Sequence, residues 1–92
     1  MIKLTVCYFY ESDEIKDYFN KTKWYKWAKQ SHYFNPDYII HFQEAHKLPT
    51  NEQEWVLGDA PFNSALWLNG IKEKYYIEET PEQIMKLIKE AK

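Results

Sequence analysis

The stretch that most constrains this chain is the run from Ile2 to Tyr10. Ile2, Leu4, Val6, Tyr8 and Tyr10 fall on one side, and Lys3, Thr5, Cys7 and Phe9 on the other. Period two with β-branched and aromatic residues is a strand pattern. A strand with one apolar face needs neighbouring strands and a cover before it is stable. With 92 residues, the chain has material for one core, so residues 1–92 read as a single domain.

The cover is written near residue 80. Thr80-Pro81-Glu82-Gln83 places threonine at an N-cap, proline at the first helical position and glutamine where it closes a capping box. Ile84, Leu87, Ile88 and Ala91 then form one apolar stripe, with Lys86, Lys89 and Lys92 toward the negative end of the helix dipole. Before this helix, Ala65 to Leu68, Asn69-Gly70 and Ile71 to Glu78 carry the pattern of a tight hairpin. Asn35-Pro36-Asp37 marks a turn that feeds a strand from Tyr38 to Glu44.

Two stretches are less determined. Over 11–34, Ser12 with Asp13 and Glu14 suits a helix start, yet Lys23-Trp24-Tyr25-Lys26-Trp27 is rich in strand formers. A short helix or irregular insertion followed by a strand from about Lys23 to Tyr33 is expected, against a single helix over 13–30. From Ala45 to Asn63 the chain is polar and acidic, with Pro49, Gly58 and Pro61. Thr50-Asn51-Glu52-Gln53 has capping-box spacing, which allows a helical turn ending at Gly58; otherwise this is a long surface loop. The expected fold is α+β, a small antiparallel sheet of four or five strands with the C-terminal helix packed on it. The alternative is a β-α-β-β-α thioredoxin-like order without C-x-x-C.

Asn35-Pro36-Asp37-Tyr38-Ile39-Ile40, Leu68-Asn69-Gly70 and Tyr75-Tyr76-Ile77-Glu78-Glu79-Thr80-Pro81-Glu82-Gln83-Ile84, after an opening strand Ile2-Lys3-Leu4-Thr5, form a pattern. It resembles the small FlbD-like proteins, flagellar or swarming accessory proteins, and related short bacterial and phage proteins. The likeness covers residues 2–5 and about 33–89. The insertions at 11–32 and 45–63 depart from it. Every matching residue is a turn, cap or core position, so the resemblance implies a fold and supplies no catalytic residues.

Composition narrows the function classes. All 12 basic residues are lysine against 14 acids, and lysine without arginine fits an AT-rich, phage or bacterial genome. The single cysteine, Cys7, excludes an internal disulfide framework. No apolar run reaches the roughly 18 residues of a membrane span, and the start lacks a signal-peptide pattern. A cytoplasmic setting without membrane contact is expected. His41, Glu44 and His46 have metal-ligand types, but strand geometry sends His41 and Glu44 to opposite faces, so no metal and no cofactor are expected. Cys7, mid-strand among apolar residues, reads as a small buried thiol rather than a nucleophile.

Two aromatic regions of opposite charge remain. Segment 16–29 has five lysines and one acid, interleaved with Trp24, Tyr25 and Trp27. Lys21, Lys23, Lys26 and Lys29 could neutralise phosphates while Trp24 and Trp27 stack on bases, though arginine, the better phosphate and guanine contact, is missing. Segment 37–62 has five acids and one lysine around Trp55 and Phe62. Bulky rings in a polar rim are the composition of interface hot spots; the same rings could instead close the end of the core. The expected function is therefore non-enzymatic: an interaction or inhibitory module, phage- or mobile-element-encoded, that contacts an unidentified protein partner through Trp55, Phe62, Trp24 and Trp27, or forms a homodimer by pairing an edge strand across a two-fold. The second expectation is nucleic-acid or nucleotide binding by Lys21, Lys23, Trp24, Lys26, Trp27 and Lys29. A third is a pocket that sequesters a small aromatic ligand.

Overall fold

A computed structural model describes residues 1–11, 25–48 and 56–91. Its elements are β1 (Ile2–Glu11), β2 (Tyr25–Phe34), a 3-10 turn (Pro36–Tyr38), β3 (Ile39–Glu44), β4 (Val56–Leu57), β5 (Ser64–Leu68), β6 (Tyr75–Ile77) and α1 (Pro81–Glu90). The strands join in the order β3-β5-β6-β1-β2-β4. Five of them form the expected antiparallel sheet, and the two-residue β4 runs parallel to the start of β2. The α+β class holds. A thioredoxin-like order would need β1 and β2 parallel, whereas they form an antiparallel ladder from Ile2↔Phe34 to Glu11↔Tyr25.

That ladder also replaces the alternative of one helix over 13–30, because residues 25–30 lie within β2; the proposed helix start at Ser12 lies outside the described residues. The helix near residue 80 forms as written. Thr80 accepts from the Gln83 N–H at 3.2 Å, and the Gln83 side chain accepts from the Thr80 N–H at 2.8 Å. Its buried face is led by Ile84, with Leu87 and Ile88 packed behind.

Two expectations fail locally. The Asn69-Gly70 turn forms, with Gly70 at φ +84°, but no tight hairpin follows it: β6 resumes only at Tyr75 and pairs with Ser64 to Leu66. The turn closes its own bond, from the Ile71 N–H to the Leu68 carbonyl at 3.3 Å, while on the β3 side the Asn69 N–H donates to the Tyr38 carbonyl at 2.8 Å. The chain then loops through residues 71–74 before reaching β1. No helix ends at Gly58, since Val56–Leu57 is the parallel strand β4 and Gly58, at φ +83°, follows it. The Thr50 capping box lies outside the described residues.

The sheet has a core on each face. On one, Ile2, Leu4, Val6, Phe34, Leu66 and Ile77 pack against Ile84 of α1. On the other, Cys7, Leu48 and Phe62 pack with Phe9, Trp27 and Tyr76. The buried side of β1 therefore changes along its length. Its even residues are inside up to Val6, after which Tyr8 and Tyr10 are exposed and Cys7 and Phe9 turn inward. Alternation along the sequence cannot show this switch, because it depends on where the cover of each face ends.

Glu79 ties the first strand to the chain just before α1. Its carboxylate accepts from the Thr5 N–H at 2.7 Å and from the Thr5 hydroxyl at 3.1 Å. Its carbonyl accepts from the fully buried Ser64 hydroxyl at 2.6 Å. Replacing Glu79 with alanine strands the partly buried Thr5 N–H, and a loss of about 1–3 kcal/mol is expected. A urea titration of Glu79→Ala beside the parent measures it; equal midpoints would show that water replaces the carboxylate at no cost.

Candidate functional site

The residues singled out in the sequence separate on the structure. Trp24, Trp55, Lys21 and Lys23 lie outside the described residues. Trp27 and Phe62 are brought together, with Phe62 buried and Trp27 partly buried. Phe62 is 1% exposed, its ring stacked on Tyr76 at 4.2 Å and tilted against Trp27 at 5.5 Å. Trp27 also meets Phe9 edge-on at 5.5 Å, opposite it in the β1–β2 ladder. Phe62 is thus a core residue, which corrects its expected role as a surface contact. An acidic neighbourhood suggested a solvated ring, but the sheet face offered an aromatic site that removes more apolar area from water.

The described lysines of the same region, Lys26 and Lys29, are engaged. Lys29 reaches Glu78 at 3.2 Å, with both side chains partly exposed, and Lys26 also has an interaction partner. Cys7, 2% exposed, stands opposite Lys29. Burial pushes its thiol up to about 11, with Glu78 and Glu79 adding to the rise and Lys29 opposing it. This is the reverse of the depressed pKa that activates a cysteine nucleophile. His32 pairs with Leu4 in the ladder and so belongs to the opposite face. His41 contacts Gln43 at 3.0 Å and His46 contacts Glu44 at 2.6 Å, and among the described residues no three metal-ligating side chains converge.

A cleft of about 390 Å³ opens beside Trp27, between His46, Leu48, Val56 and Asp59. Its volume lies at the lower end for small-ligand sites, and its lining mixes Lys47 and Asp59 with the Trp27 indole and the His46 imidazole.

The strand order shows which strands the edge-pairing expectation applies to. Among the described residues, β4 pairs with β2 only at Tyr25 and Lys26, which leaves 28–34 without an outer partner. Lys29, Gln30, Ser31 and Tyr33 along it are exposed, Tyr33 at 66%. The opposite edge, β3, carries a register shift between Ile39 and His41, and Ile40 is 65% exposed. Such irregularities blunt an edge against further pairing. Open edges are not visible in a sequence, because strand order is a non-local property.

No family model, curated protein or solved structure matches the chain. No helix of the described residues is long and apolar enough to cross a membrane.

Proposed function

We propose that this protein is a small non-enzymatic interaction module of the cytoplasm, which binds a protein partner or a second copy of itself. The observation that supports the reading is the outer edge of β2, seven residues of strand without an outer partner among the described residues and including the exposed Tyr33. An unpaired strand offers a row of N–H and C=O groups to another chain, and a partner strand gains affinity from them. A host protein as partner, and a phage or mobile-element origin, belong to the same reading.

Nucleic-acid binding through segment 21–29 is less favoured. Trp27 is committed to the core cluster and Lys29 to Glu78, so the described part of that segment does not combine free rings with free charge.

A photo-reactive phenylalanine analogue at Tyr33 tests the proposal, with the same group at the exposed Met85 of α1 as control. Irradiation in a cell extract is expected to give discrete protein adducts from position 33 and none from 85. Equal labelling from both sites would overturn the proposal. So would tryptophan fluorescence quenched by oligonucleotide with a steep salt dependence, which is the mark of phosphate contacts.

A further inference from the structure

We infer that the outer edge of β2 pairs with the same edge of a second copy, antiparallel about a two-fold axis through Ser31. This rests on the interaction reading above and names the partner.

The direction of the backbone groups comes first. The Thr5 carbonyl accepts from the Glu78 N–H at 2.9 Å, so Thr5 and the other odd residues of β1 turn their backbone groups toward β6. The even residues of β1 therefore face β2. Their partners in the ladder, Phe34, His32, Gln30 and Ala28, face back toward β1. That leaves Lys29, Ser31 and Tyr33 with N–H and C=O directed outward.

The length of the open edge then selects the register. At one end β4 occupies the positions beside Tyr25 and Lys26. At the other the chain turns at Asn35, whose side chain accepts from the Asp37 N–H at 3.0 Å, and enters the 3-10 turn at Pro36. Among the described residues the free stretch between these stops is 28–34, and its middle residue is Ser31. A two-fold through Ser31 lets each copy use the whole stretch without running into β4 or the turn. Ser31 faces its own symmetry mate, Lys29 faces the mate's Tyr33, Gln30 faces His32 and Ala28 faces Phe34. Three outward-facing pairs with two bonds each give about six backbone hydrogen bonds.

Charge agrees with this register. Lys29 is the one Lys, Arg, Asp or Glu between 28 and 34, and it meets a tyrosine ring rather than its own copy. A two-fold through Lys29 would set two ammonium groups directly opposite, which is destabilising. The edge also lacks the usual guards. It contains no proline and no register shift, and its lysine is drawn toward Glu78.

Light scattering over about 10 µM to 1 mM, the range suited to a small strand-edge contact, is expected to show a dimer at the upper end. Cysteine pairs read the register. Directly opposed positions lie about 5.5 Å apart, within disulfide reach, whereas Lys29 and its own copy lie about 14 Å apart along the strands. Under mild oxidation Ser31→Cys should link to itself. Lys29→Cys and Tyr33→Cys should link to each other when mixed and neither to itself. The buried Cys7 of the unsubstituted protein serves as background. A monomer throughout the concentration range, or self-linking of Lys29→Cys as efficient as that of Ser31→Cys, would overturn the two-fold. The interaction reading falls with it only if the photo-reactive group at Tyr33 also captures no other protein.

Discussion

Truncating Phe62 to alanine is expected to destabilise the protein by about 3–5 kcal/mol, the range for emptying a buried aromatic site. The ring is 1% exposed, and it holds together parts that are distant in sequence: Tyr76 of β6, Trp27 of β2 and the Cys7–Leu48 cluster. Its two ring contacts add to the area lost, each worth about 0.5–1.5 kcal/mol in such pairs. At about 0.05–0.15 kcal/mol per residue, a domain of this length has little more than 10 kcal/mol to lose, so the variant should unfold at a much lower urea concentration. Phe62→Leu, which keeps most of the volume, should lose less than half as much. Tryptophan fluorescence is a suitable probe because Trp27 packs on the ring. An unchanged midpoint for Phe62→Ala would mean that the second core is not part of the cooperative unit. A large loss also means that Phe62→Ala is unsuitable for testing binding, since lost capture would report unfolding.

Cys7 should react about a hundredfold more slowly with a thiol reagent at pH 8 in the native protein than in urea. The shift from an ordinary value of 9.0 to about 11 lowers its thiolate fraction by that factor, and burial restricts access further. The sign for stability follows from linkage. Between pH 9 and 11 the folded protein holds a proton on Cys7 that the unfolded chain has released, so stability falls as pH rises through that window. The contribution is on the order of 2–3 kcal/mol. Cys7→Ala should remove this part of the alkaline slope and leave the rest. Native and denatured protein labelling at similar rates would show that the second core opens readily.

What was readable in the sequence was local. The Thr80–Gln83 box, the apolar stripe from Ile84 and the alternation from Ile2 to Val6 each contain their own physical cause within one turn or one strand, and they carried the α+β assignment. The failures share a different origin. Asn69-Gly70 has hairpin chemistry and its turn bond forms, yet the returning strand begins only at Tyr75, where it lies between β5 and β1. Phe62 sits in an acidic stretch, yet Tyr76 and Trp27 enclose it. The open edge at Ser31 has no local mark at all, because it exists only through the order in which the strands are laid side by side.

That order has a consequence for how the protein is made. β1 is synthesised first but lies inside the sheet, between β2 and β6, and Thr5 waits for Glu79, 74 residues later. At translation speeds of about 5–20 residues per second, that interval is on the order of 4–15 s. A hairpin such as β1–β2 closes in microseconds. Between the completion of β2 at Phe34 and the start of β6 at Tyr75, nearly half of its synthesis, the nascent chain therefore holds a two-stranded ribbon whose β1 edge is unpaired. Until β6 arrives, that edge of β1 is open to pairing with another strand, so the interval between β2 and β6 is when this chain is most exposed to mispairing.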